Sequence, residues 1–138
     1  MMKTISFDIR TPSRNSFMDI TGPLQSILRE KGCKSGIMTV FTPHTTAGIT
    51  INENADPDVQ HDLKYKLSEM IPKDETAYRH NEGNSDSHLK SSLFAPSLSL
   101  IYENGRLLLG IWQAVYFAEF DGPRTRKVHI KIIEDNNS

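Results

Sequence analysis

The sequence predicts a mainly β, β-rich α+β fold, an antiparallel β-sandwich with two or three short helices, spanning residues 1–138 as a single domain. Three observations carry this reading. Segments with a strand pattern number six or more, against two clear helical ones. The pair Asn104-Gly105 lies between two apolar runs and marks a hairpin, because both residues tolerate the positive φ of a type I′ turn. No alternation of strand and helix supports the long crossovers that a parallel sheet requires.

The elements follow in order. Residues 4–10 alternate Ile5, Phe7 and Ile9 with Ser6 and Asp8, the period of a half-buried strand. From Thr21 the spacing becomes helical: Pro23 suits a first turn, Leu24, Ile27 and Leu28 share a face, and Gly32 follows the basic Arg29 and Lys31 as a stop. Residues 37–41 are apolar on both faces, and Ala47, Ile49 and Ile51 alternate with polar or small neighbours. Between these two strands a Thr-Pro-His-Thr-Thr bend carries His44. Asp56-Pro57 caps and opens a second helix whose stripe is Val59, Leu63, Leu67 and Met70, and Pro72 ends it. Residues 73–96 keep no period beyond a possible helical turn at 87–93, and so long an irregular stretch in a small domain points to function or disorder. Residues 98–102 and 106–120 form the two arms of the hairpin, the second ended by Asp121-Gly122-Pro123. The last strand, 126–133, turns Val128, Ile130 and Ile132 inward, and the residues from Glu134 on read as a frayed tail. The arm 107–120 is apolar on both faces. A sandwich covers one of them, so the other is expected against a helix or another subunit.

Composition narrows the function classes. Leu, Ile, Val and Phe make up 34 of 138 residues, enough for a folded core. With 16 basic against 17 acidic residues the net charge is −1, so no global field draws the chain to nucleic acid or to an anionic membrane, and any anion site must be local. The single cysteine, Cys33, excludes an intrachain disulfide and a cysteine-built zinc site. The polar opening and the absence of an apolar run near ~18 residues make a cytoplasmic location the expectation.

Several residues have the chemistry of a site. His44 sits at a strand end among Thr42, Thr45 and Thr46, where it either meets a ligand or caps the turn. His80 and His88, with Glu82, Asn84 and Asp86 around them, could join His44 in a three-imidazole site for a divalent ion; solvated loop histidines are the plain alternative. Glu53, beside the capping Asp56, is a candidate general base, a ligand of a metal or of a metal-bound group, or an exposed turn residue. Arg126 shares the inward face of the last strand, so its guanidinium must be paired, at the rim, or holding an anion. Arg124 lies on the same side, and the two form either a phosphate-binding pair or structural pairs with Glu119 or Asp121. Gln113, polar inside the longest apolar run, needs a hydrogen-bond partner in substrate or backbone.

The stretches His44-Thr45-Thr46-Ala47, Asn52-Glu53-Asn54 with Asp56-Pro57 and His61-Asp62, His80 with Glu82-Gly83, residues 87–92, and Gly110-Ile111-Trp112-Gln113 with Arg124 and Arg126 together resemble the YjbQ family, small proteins described as secondary thiamine-phosphate synthases. The resemblance covers roughly residues 36–130 and implies a homotrimer with the polar cluster near subunit boundaries. It raises His44, Glu53, His61 and Asp62 to catalytic candidates, Lys90, Gln113, Arg124 and Arg126 to substrate or phosphate ligands, and His44, His80 and His88 to ligands of zinc or magnesium. The implied reaction joins a pyrimidine-methyl diphosphate to a thiazole phosphate. Three histidines suit zinc better than magnesium, which leaves metal-assisted phosphoester hydrolysis, or a trimeric metabolite-binding module without chemistry, as alternatives.

Overall fold

A computed structural model describes residues 4–136. It contains β1 (Ile5–Arg10), β2 (Ser16–Asp19), α1 (Thr21–Lys31), β3 (Gly36–Phe41), β4 (Ala47–Glu53), α2 (Pro57–Met70), α3 (Ser85–Phe94), β5 (Ser97–Glu103), β6 (Arg106–Leu107), β7 (Gln113–Glu119) and β8 (Thr125–Glu134). Every strand pairing is antiparallel. One sheet has the order β1-β8-β3-β5-β6 and the other β2-β7-β4. The fold is therefore mainly β, with two antiparallel sheets and three helices, as the alternating segments predict.

The core lies between the sheets. Met38, Val40, Leu100, Tyr102, Val128, Ile130 and Ile132 come from the five-stranded sheet; Ile49, Val115 and Phe117 come from the other, and Leu24 and Leu28 of α1 close the cluster. Alternation along β8 is strict, with Arg126, Val128, Ile130 and Ile132 all buried. Helix α1 ends as its sequence predicts: Gly32 adopts the left-handed conformation at φ 64°, and its N–H returns to the Arg29 and Leu28 carbonyls.

The expected second arm of the hairpin is broken. Asn104 (φ 52°) and Gly105 (φ 75°) do form the tight turn. However, β6 is only two residues long, and the chain then leaves one sheet to enter the other as β7. The crossing is held by a small turn in which the Gln113 N–H donates to the Gly110 carbonyl at 3.0 Å. Leu107 and Leu109 before the crossing and Val115 and Phe117 after it all pack on the main core, while Ile111 between them stands exposed. The two apolar faces of β7 are both covered within the chain: Val115 and Phe117 join the main core, and on the other side Tyr116 and Phe120 meet Phe17, with Phe94 of α3 against Phe17 and Phe120. Gly48 permits the close seating of α3, since a Cβ there would lie 2.9 Å from the Ala95 carbonyl oxygen and from the Phe94 Cβ.

Two further expectations change. The helical turn near residue 87 is a full helix, α3, and residues 16–19 form a strand whose period was too short to stand out. The α2 stripe is not core. Asp56 caps the helix by accepting from the Asp58 N–H at 2.9 Å, but no residue of α2 is buried. Its link to the body is polar: Gln60 Nε2 donates to the Tyr116 hydroxyl. The far end of the expected tail, 137–138, lies outside the described residues.

Candidate functional site

The bend between β3 and β4 holds His44 through one specific bond. The backbone N–H of Lys127 on β8 donates to His44 Nε2 at 2.9 Å. An accepting Nε2 carries no proton, so the neutral ring bears it on Nδ1. Burial, followed by the nearby Arg126 charge, lowers the pKa of His44 below the ordinary imidazole value. The ring is therefore a fixed, uncharged hydrogen-bond donor at neutral pH.

Around it lies a polar cavity of about 290 Å³, to which His88, Glu82, Asn84, Asp121, Arg124 and Arg126 contribute. Helix α3 positions His88, and the loop before it supplies Glu82 and Asn84. Asn84 Nδ2 donates to Asp121 Oδ2 at 2.9 Å, tying that loop to the turn after β7. Arg124, half exposed, donates through Nε to the Asp121 carbonyl at 2.8 Å and lies 3.2 Å from its carboxylate.

Arg126 is structural. Its Nε donates to Glu119 Oε1 at 2.8 Å, its second nitrogen binds Glu119 Oε2, and the Thr46 hydroxyl takes a bond of 2.8 Å. The anion that answers this buried guanidinium is thus an acidic side chain rather than phosphate. Lys90 is spent in the same way. Its ammonium lies 3.0 Å from Asp86, whose other oxygen takes Arg14 at 3.0 Å, and neither Lys90 nor Asp86 reaches solvent appreciably. Burial alone would raise the Asp86 pKa, but hydrogen bonds from Arg14 and Lys90 outweigh it and hold the group below the ordinary carboxylate range.

The three-histidine metal site is not assembled. His80 and His88 meet edge to face with ring centres 5.3 Å apart, and Glu82 lies 3.8 Å from His80 Nε2. The Nε2 lone pair of His44, however, is committed to Lys127, and its Nδ1 carries the proton. Among the described residues no three His, Cys, Asp or Glu side chains converge on one point.

The remaining candidates lie elsewhere. Glu53 and Gln113 face each other at one end of β4 and β7, whereas Ala47 and Glu119 pair at the other end, beside His44. Six residue steps of strand separate the two ends, about 20 Å. Gln113 is exposed and its amide oxygen accepts from the Gly110 N–H at 2.7 Å, which makes it a turn residue. His61 and Asp62 contact one another at 3.1 Å on the open side of α2, with their side chains 75% and 79% exposed. None of these four lines the His44 cavity. Sequence pattern had not marked Asp121 as a wall of the cavity, and Arg14 stands in a short irregular loop with no periodicity to reveal it. Cys33 is buried in the core beside Tyr102, and burial raises both pKa values, that of Tyr102 to about 12. It is a packing residue rather than a nucleophile.

Fold and cavity together define a small two-sheet protein whose histidine pocket opens at the strand ends next to α3. The chain belongs to the family described as UPF0047 protein YjbQ-like, whose model matches residues 5–135. It is 50% identical over 133 residues to UPF0047 protein YugU of Bacillus subtilis, covering 96% of this chain and 99% of the relative. With UPF0047 protein MJ1081 of Methanocaldococcus jannaschii it shares 51% over 129 residues, 94% of this chain and 93% of the relative. Among solved structures, an uncharacterized conserved YjbQ/UPF0047 protein from Clostridium acetobutylicum superposes with a TM-score of 0.90 at 51% identity, covering 94% of this chain and 99% of the other. Hypothetical protein APE1520 from Aeropyrum pernix gives 0.90 at 33% identity, with coverage of 97% and 100%.

These comparisons correct the expected function. The relatives are described by family alone, with no thiamine-phosphate synthase, phosphoester hydrolase or binding module among their descriptions. The structure adds a physical reason: Arg126 and Lys90, two of the expected phosphate ligands, are neutralised inside the fold.

Proposed function

We propose that the His44 cavity is an enzyme active site for a small substrate bearing an anionic oxygen group, a phosphorylated small molecule being the expected kind. One observation supports it above the rest: the Lys127 N–H fixes His44 as a neutral donor. Such an imidazole stabilises negative charge developing on a substrate oxygen without itself needing to lose water or reorient. Arg124 supplies the positive charge, since its side chain is half exposed and its NH1 makes no bond among the described residues.

Nitrogen-15 NMR of labelled histidine tests this directly. His44 should show an unprotonated, accepting Nε2 at pH 7 and stay neutral below pH ~6.5, where a free imidazole is half charged. Inorganic phosphate should shift its signals saturably, and Arg124→Ala should weaken that effect about tenfold. A His44 that titrates like a free imidazole, or that phosphate leaves unmoved, overturns the reading.

We propose also that the chain works as a homotrimer. An isolated helix of 14 residues is marginal in water, yet α2 fully buries no residue: Val59, Leu63 and Leu67 of its stripe are half-buried and Met70 is exposed. Ile111 and Trp112 are also open, at 88% and 59% exposure. The same chain offers a matching apolar surface: Ile37 with its cross-strand neighbours Ile101 and Ile133 on the outer face of the five-stranded sheet. Light scattering should give about three times the 15.6 kDa chain mass, and Leu63→Glu with Leu67→Glu should reduce it. A monomer at all concentrations would contradict this.

A further inference from the structure

A second cavity, larger than the His44 pocket, lies on another part of the molecule. It measures about 720 Å³ and is walled by the end of α1 and the β5–β6 turn. Its walls are pinned. Gln25 of α1 donates to the Gly105 carbonyl at 2.6 Å and accepts from the Leu107 N–H at 3.1 Å, and the Gly105 N–H donates to the Lys34 carbonyl at 2.9 Å. Buried Leu28 and Cys33 form an apolar floor.

Three cations line this groove from three different segments: Arg29 in the last turn of α1, Lys34 in the following loop, and Arg106 in β6. Among the described residues none of the three forms a salt bridge, although the chain as a whole carries one more acid than base. Of the carboxylates at this end, Glu134 accepts from the Lys34 backbone N–H, Asp135 accepts from the Ser35 hydroxyl, and Glu103, across the strand pair from Arg106, forms no salt bridge with it. The negative end of α1 is largely answered as well, since the Gly32 and Cys33 N–H groups bond the Arg29 and Leu28 carbonyls.

We propose that this groove binds an organic phosphate carrying at least two phosphoryl groups. Three unpaired cations from separate segments match a multiply charged oxyanion, the two guanidinium forks suit phosphoryl oxygens, and the apolar floor suits the organic part. A volume of this size accommodates a nucleotide-sized molecule. The site is separate from the His44 cavity and does not depend on its role.

Amide NMR titration of the folded protein tests the proposal, with ADP, pyrophosphate, orthophosphate and adenosine as probes. ADP should shift the amides of Gly32, Lys34 and Gly105 saturably, pyrophosphate less tightly, and orthophosphate and adenosine weakly or not at all. If pyrophosphate binds as tightly as ADP, the organic part is wrong. Arg29→Ala and Arg106→Ala should each weaken ADP binding about tenfold and leave the melting temperature nearly unchanged, because both side chains are exposed and unpaired. Arg124→Ala should leave it intact. Absence of shifts at millimolar ADP, shifts confined to residues around His44, or affinity indifferent to Arg29 and Arg106 would overturn the proposal.

Discussion

Replacing Glu119 by alanine is expected to cost about 3–5 kcal/mol of stability, because it strips the counter-charge from an almost fully buried guanidinium. The Glu119 side chain is 0% exposed and that of Arg126 2%. Glu119 also accepts from the Asp121 N–H at 3.0 Å, so the turn carrying Arg124 loosens with it. The melting temperature should fall on the order of 10 °C. Replacing both partners, Glu119→Leu with Arg126→Met, should recover much of the loss, since two apolar side chains of similar size leave no buried charge. A Glu119→Ala protein that melts like the parent would show that the pair contributes nothing. An Arg126→Ala protein that folds normally but loses phosphate binding would return this arginine to the site.

The second large effect is expected at Asp86. Asp86→Asn should also cost about 3–5 kcal/mol, because it leaves the buried Lys90 ammonium facing a neutral amide. Lys90→Met should cost distinctly less, as Asp86 would keep Arg14, which reaches solvent. The pH dependence has a definite sign. A carboxylate whose folded pKa lies below its unfolded value contributes stability that is complete above the unfolded value, near 3.9, and is lost as pH falls through the folded one. Acid denaturation followed by circular dichroism should therefore show a loss below about pH 4 that is smaller in Asp86→Asn. His44 adds in the same direction at milder acidity: its folded pKa is also depressed, so the unfolded chain takes up that proton first as pH falls below ~6.5. An Asp86→Asn protein with an unchanged acid limb and midpoint would refute this account.

Periodicity made much of the fold legible. The inward parity of β8 followed from Val128, Ile130 and Ile132, and it correctly required a partner for Arg126; only geometry could choose Glu119 over a ligand. The two-faced pattern of residues 107–120 was read as one continuous strand whose second face meets a helix or another subunit; α3 does cover that face of β7, but local pattern cannot register a chain moving between sheets at Gly110. The α2 stripe was real as a pattern but silent about its cover. At the site, sequence identified His44, His88 and Arg124, which do share a cavity. It grouped Glu53, Gln113, His61 and Asp62 with them, since order along the chain does not record that β4 places His44 and Glu53 at opposite ends. Nor can the spacing of histidines reveal which ring nitrogen the backbone has already claimed.

The strand order also bears on how the chain reaches its native state. β8, the last of these strands, lies between β1 and β3, so the first and last strands are stitched together along one side of the larger sheet. During synthesis β1 must wait for more than a hundred further residues before its neighbour emerges, and until then β1 has no partner and one flank of β3 stands open. Ile5, Phe7 and Ile9, which pack on the finished core, remain without cover through that interval. Such long-range closure makes for slow folding and a vulnerable nascent chain. Removing β8 would leave a torn sheet rather than a trimmed one.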